Sequence, residues 1–137
     1  MIVADIMTPN PVTVTLDTEL HEIKEIFDNA HFHHILVEDE IDNTLVGIIS
    51  DRDVLRELSP YLNTLSETFH DKETLFKRAH QFMSRGLVTV KPTTDCKKAA
   101  EKMLLAEISC LPVVGTDKKI LGIVTWKDFL RLYIALR

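Results

Sequence analysis

A chain of 137 residues, 45% hydrophobic and 27% charged, has the make-up of an ordinary soluble globular protein, long enough for one full core or for two half-sized units that bury each other. Its net charge of −5 excludes the broad basic footprint that nucleic acid or an anionic membrane surface requires. No apolar run approaches membrane-spanning length, and Met1-Ile2-Val3-Ala4-Asp5 lacks the basic flank and apolar stretch of a secretion signal, so a cytoplasmic protein is expected, with its two cysteines, Cys96 and Cys110, reduced and packed.

The chain opens on Met7-Thr8-Pro9-Asn10-Pro11 and then a short run, Pro11 to Leu16, in which Val12, Val14 and Leu16 alternate with threonines as in a half-buried strand. Asp17-Thr18-Glu19 starts a helical stretch carrying Leu20, Ile23, Ile26 and Phe27 at helix spacing. Two strand runs follow, Ile35-Leu36-Val37 and Leu45 to Ile49, separated by a polar turn, and a closing helix starts at Ser50. Residues 59–78 form a linker that opens on Ser59-Pro60. From about Thr64 it carries a helical pattern with Leu65, Phe69, Phe76 and Ala79 on or near one stripe, which either packs on its own module or meets a partner.

After the linker the same order returns, with Val88-Thr89-Val90, a helix opened by Thr94-Asp95, the strand runs Leu111 to Val114 and Ile120 to Val124, and a closing helix at Thr125. Gly47-Ile48-Ile49-Ser50-Asp51-Arg52-Asp53 matches Gly122-Ile123-Val124-Thr125-Trp126-Lys127-Asp128, and Ile6 to Val14 matches Phe82 to Val90. The offset is 75 positions for the first match and 76 for the second, which one extra residue in the first copy's hairpin turn accounts for. The chain therefore reads as repeat 1 (1–58), linker (59–78) and repeat 2 (79–137), an α+β fold of two pseudo-symmetric β-α-β-β-α units. A three-stranded sheet cannot cover both its faces within so few residues, so the two sheets are expected to pack together.

Chemistry concentrates where each second hairpin strand meets its closing helix. Ser50 with Asp53, and Thr125 with Asp128, have capping-box spacing, which explains both the hydroxyl and the acid without any ligand. The same geometry suits a nucleotide: a carboxylate accepts from both ribose hydroxyls, while the hydroxyl and the free amides of a helix start receive a phosphate. Arg56 and Arg131, one turn later, read either as i,i+3 ion-pair partners or as phosphate clamps. His31-Phe32-His33-His34 has no supporting cysteines or paired carboxylates at ligand spacing, so no metal site is assigned. No Ser-His-Asp or Cys-His pattern and no phosphate-cradling glycine loop appears, so no catalytic residue is assigned either.

The Met-Thr-Pro-Asn-Pro-Val-Thr-Val opening, His34-Ile35-Leu36-Val37 with Leu111-Pro112-Val113-Val114, and the twice-used Gly-apolar-apolar-Ser/Thr-x-x-Asp ending together resemble cystathionine-β-synthase (CBS) domains. The whole chain is similar to a stand-alone CBS pair, or Bateman module. That resemblance implies a regulatory module without catalytic activity, whose two clefts between the repeats bind adenosine-containing ligands such as AMP, ADP, ATP or S-adenosylmethionine. It further implies flat homodimers and an effector protein reached in trans. Carried over by position, Ser50, Asp53, Thr125 and Asp128 face ribose and phosphate, and the backbones of Val12-Thr13 and Val88-Thr89 face the adenine edge. His33 reaches the phosphate of the ligand held by the opposite repeat, where the second copy has only Ser109. The clefts are then unequal, with the Asp128 cleft the better phosphate site. The alternative is a scaffold pair that dimerises without ligand.

Overall fold

The computed structural model describes residues 1–136. In chain order the strands are β1 (Thr8–Pro9), β2 (Thr13–Thr15), β3 (His34–Glu38), β4 (Leu45–Ser50), β5 (Cys110–Val114) and β6 (Ile120–Thr125). The helices are α1 (Leu20–Asp28), α2 (Asp51–Glu57), α3 (Phe69–Glu73), α4 (Ala79–Phe82), α5 (Cys96–Ala106) and α6 (Trp126–Ala135). The strands form two three-stranded sheets, ordered β2-β3-β4 and β1-β6-β5, which makes the fold α+β as its alternating periodicities imply.

The chain divides into two compact units. The first comprises Thr13–Asp42 and Val46–Arg85. β2 runs parallel to β3 in the register Thr13↔Leu36, and α1 turns Leu20 and Ile23 inward onto Ile35, Val37 and Ile49. These five side chains are fully buried, and Ala79 and Met83 complete the core from the segment that follows the linker.

The second unit comprises Met1–Val12, Asn43–Leu45 and the chain from Gly86 onward. β5 is buried along its whole length because it has neighbours on both sides: β6 antiparallel, and Val90 in a parallel bridge to Val113. The expected strand Val88-Thr89-Val90 thus shrinks to a single paired residue. Val3, Ala99, Met103, Leu111 and Val124 build the core around it.

Each unit therefore includes the leading segment of the other copy. In the second unit β1 pairs antiparallel with β6 (Thr8↔Ile123, Pro9↔Gly122), and in the first Ser84 exchanges backbone hydrogen bonds of 2.9 and 3.1 Å with Ile48. Glycine is needed at both landing points. A Cβ on Gly122 would stand 2.7 Å from Met7 Sδ and 2.8 Å from the Thr8 carbonyl oxygen, and one on Gly47 would run into the Met83 side chain.

The linker departs from the expected helix. The stretch Tyr61–Thr64 is a turn, Asn63 takes a left-handed φ of 62°, and the helix begins only at Phe69, where Thr68 and Asp71 cap each other. Leu65 and Phe69 are exposed, whereas Phe76 sets its ring edge-on against His21 of α1 and Ala79 is buried in the first core, so only the far end of the stripe packs on its own module.

Candidate functional site

In the first unit β4 ends at Ser50, whose extended backbone turns the chain into α2. The Ser50 amide donates to Asp53 Oδ2 at 2.8 Å and the Asp53 amide donates to Ser50 Oγ at 3.1 Å, a complete reciprocal cap. Arg56 donates to the other carboxylate oxygen, Oδ1. The second unit repeats the arrangement with one difference. The Thr125 amide donates to Asp128 Oδ2 at 2.8 Å and Arg131 donates to Oδ1 at 3.2 Å, but the Thr125 hydroxyl lies 3.5 Å from Oδ2 and caps no amide.

Both carboxylates are tucked in, their side chains 12% and 13% exposed, while the paired arginines are 73% exposed. Capping and the i,i+3 ion pair are thus both realised. Each carboxylate still has lone pairs beyond those two bonds, and each arginine is free to swing into solvent, so a sugar diol can replace the guanidinium without disturbing the cap.

Beside each aspartate stands a shielded residue whose closeness to that carboxylate the sequence did not reveal. His34 and Cys110 occupy equivalent first positions in β3 and β5. Burial lowers the pKa of His34, a shift that the Asp51 and Asp53 carboxylates oppose. Burial, assisted by the Asp128 carboxylate, pushes the Cys110 thiol up to about 12, so it is inert as a nucleophile at neutral pH. Cys96 is likewise buried and its thiol raised. Position alone could have flagged this pair, since Cys110 faces Thr125 across β5 and β6.

The other candidate residues make local contacts of their own. Thr13 lies on the edge strand β2 and its hydroxyl donates to Glu38 at 3.1 Å. The Thr89 carbonyl accepts from Lys102 at 3.1 Å, Val88 packs on the second core, and Val12 is exposed. His33 is exposed with Nδ1 2.8 Å from Asp51 Oδ2, and its carbonyl accepts the Asp51 amide. Its imidazole therefore already has an anionic partner on the first turn of α2. Ser109 holds the equivalent backbone bond, from the Trp126 amide.

The family model for the CBS domain matches residues 3–60 and 79–135. A CBS domain-containing protein of Dictyostelium discoideum is 31% identical over 135 residues, covering 98% of this chain and 92% of that protein. A homoserine O-acetyltransferase of Methanohalobium evestigatum is 28% identical over 130 residues, but this chain spans only 24% of its length. Among solved structures, the CBS domain pair of protein MJ0100, in complex with 5′-methylthioadenosine and S-adenosylmethionine, superposes with a TM-score of 0.82 at 26% identity, covering 100% of this chain and 98% of that one. CBSX2 of Arabidopsis thaliana, in complex with AMP, gives 0.81 at 28% identity, covering 98% and 97%. With two matched segments that take in both copies of the repeat, the chain belongs to the CBS domain family and carries two of its domains in tandem.

Proposed function

We propose that this protein is a regulatory sensor of an adenosine-containing ligand, of the class of AMP, ADP, ATP or S-adenosylmethionine, acting as a cytoplasmic homodimer on an effector protein without catalysing a reaction. The observation that carries the reading is the twice-built helix start, in which a sequestered carboxylate is capped on one oxygen and held on the other by a displaceable arginine. It is supported by the ligands of CBSX2 and of the MJ0100 pair, AMP in one and 5′-methylthioadenosine with S-adenosylmethionine in the other.

Asp53 and Asp128 take the ribose diol in this reading. Arg56 and Arg131 leave their carboxylates on binding, the hydroxyls of Ser50 and Thr125 with the adjoining helix-start amides meet phosphate, and the Val12-Thr13 and Val88-Thr89 backbones meet the base. His33 supplies phosphate charge to the ligand associated with Asp128, in competition with Asp51. The two sites are consequently unequal.

Isothermal titration calorimetry with AMP, S-adenosylmethionine and 5′-methylthioadenosine tests this. At least one of the three is expected to bind and raise the melting temperature, and Asp128→Ala is expected to weaken AMP binding by at least about tenfold, more than Asp53→Ala does. Equal losses in the two variants overturn the inequality. Absence of binding by all three ligands overturns the sensor and leaves a scaffold.

A further inference from the structure

The two copies part ways where each first helix begins. By the 76-residue offset, Glu19, His21 and Glu22 at the start of α1 correspond to Asp95, Lys97 and Lys98 at the start of α5. The backbone frame is the same in both. Glu19 pairs with Arg78 in a short antiparallel bridge as Asp95 does with Ile2, and the next amide, of Leu20 or Cys96, donates to the carbonyl of Lys77 or Met1. The side chains differ. Asp95 caps its helix, accepting from the Lys97 amide at 3.1 Å, and two lysines follow it. Glu19 occupies the same cap position but caps no amide with its side chain, which turns to His21 with Oε1 3.7 Å from Nε2.

One ligand atom from each of Glu19, His21 and Glu22 lies within 4.8 Å of the other two. A tetrahedral cation holding oxygen and nitrogen at about 2.0 to 2.2 Å sets its ligands roughly 3.3 to 3.6 Å apart, so the Glu19–His21 spacing is already near that value and Glu22 closes on it by a side-chain rotation. Phe76 steadies the imidazole, its ring meeting that of His21 edge-on at 5.6 Å. The two carboxylates lack a basic neighbour. Glu22 enters no ion pair among the described residues, and Glu19 pairs only with the His21 ring. Lys77 and Arg78, which reach α1 at the end of the linker, pair instead with Glu57 at 2.8 Å and Asp17 at 3.2 Å, and Lys24 of α1 pairs with Asp28 at 2.6 Å. A helix start disfavours a cation, but its charge of about half a unit is outweighed by two carboxylates.

We propose that Glu19, His21 and Glu22 bind a divalent transition-metal cation of the Zn²⁺ class. An imidazole with two carboxylates is a donor set that Zn²⁺ accepts, with a fourth position left to water, whereas Mg²⁺ and Ca²⁺ favour oxygen alone. The cation ties the cap residue to the first turn of α1, where the Leu20 amide joins the helix to the end of the linker through the Lys77 carbonyl at 2.7 Å. It uses none of the residues assigned to the adenosine ligand and does not depend on one.

Isothermal titration of the metal-free full chain with Zn²⁺ alone, read beside histidine-selective NMR, gives the test. One equivalent is expected to bind at the tightest site and to shift one imidazole signal, which His21→Ala removes. His21→Ala and Glu22→Gln are each expected to weaken binding by at least about tenfold, and His31→Ala to leave it unchanged. Glu22 is exposed and has no ion pair to lose, so Glu22→Gln is expected to melt as the metal-free wild type does, and its loss of binding reports ligation and not unfolding. A wild type that binds no Zn²⁺, binding that survives His21→Ala or Glu22→Gln undiminished, or binding lost in His31→Ala instead overturns the proposal.

Discussion

At the scale of single residues, Gly47 and Gly122 show how one sequence position carries two different costs. Both were visible as matched glycines, and both lie where a leading segment crosses a hairpin strand. At Gly122 the obstruction includes the Thr8 carbonyl oxygen, a backbone atom fixed by the β1–β6 pairing, whereas at Gly47 it is the side chain of Met83 alone. Gly122→Ala is therefore expected to destabilise by about 2 to 3 kcal/mol and Gly47→Ala by about 1 kcal/mol, the flexible thioether giving way more cheaply than a strand. Urea denaturation of the two variants checks the order. His34 adds a pH effect at the same scale. Its pKa is lowered in the folded state, chiefly by burial, so acidification through and below its ordinary value of 6.5 charges the unfolded chain first and draws stability away from the fold. Thermal melts from pH 7.5 down to pH 5 are expected to show this loss, and His34→Gln to reduce it.

Among whole elements, the two closing helices look alike in sequence and differ in how they begin. Ser50 Oγ accepts from the Asp53 amide, while Thr125 caps no amide with its hydroxyl and relies on Asp128. Ser50→Ala should cost about 1 kcal/mol and Thr125→Ala clearly less, as read from the denaturation midpoints. The Ser/Thr-x-x-Asp spacing made both helix starts legible, since a cap depends only on neighbours in the chain. The linker was misjudged for the same reason in reverse. Apolar spacing from Leu65 to Phe76 suggested a continuous helix, but Thr68-x-x-Asp71 is itself a cap and fixes the start at Phe69. A second acceptor bond from Ser59, at 2.6 Å, holds the Asp71 carboxyl below its ordinary pKa and ties the start of α3 to the beginning of the linker. That long-range bond has no local signature. Of the candidate site, the carboxylates and their arginines were legible from spacing, as was the packing of Cys110, whereas the closeness of His34 and Cys110 to Asp53 and Asp128 depends on strand pairing and was not.

For the molecule as a whole, the repeat discloses that two like units exist but not which leading segment completes which unit. Met7 and Met83 are interchangeable in pattern, as are the glycines that receive them, so a self-contained arrangement and an exchanged one satisfy the same sequence. Connectivity decides, and each unit is completed by residues that precede the other copy's first strand. The second unit draws three things from Met1–Val12: the fully buried Val3, the side chain over Gly122, and the strand that covers the β6 edge. Deleting Met1–Pro9 removes all three while leaving every residue of the first unit in place. A bared strand edge exchanges its amides and recruits other strands. The truncated protein is therefore expected to lose hydrogen-exchange protection in β6 by at least about tenfold, to keep it in β3, and to associate nonspecifically on warming. Equal loss of protection in β3 and β6 would show that the two units unfold as one body, so that exchange of leading segments couples them fully instead of completing each separately.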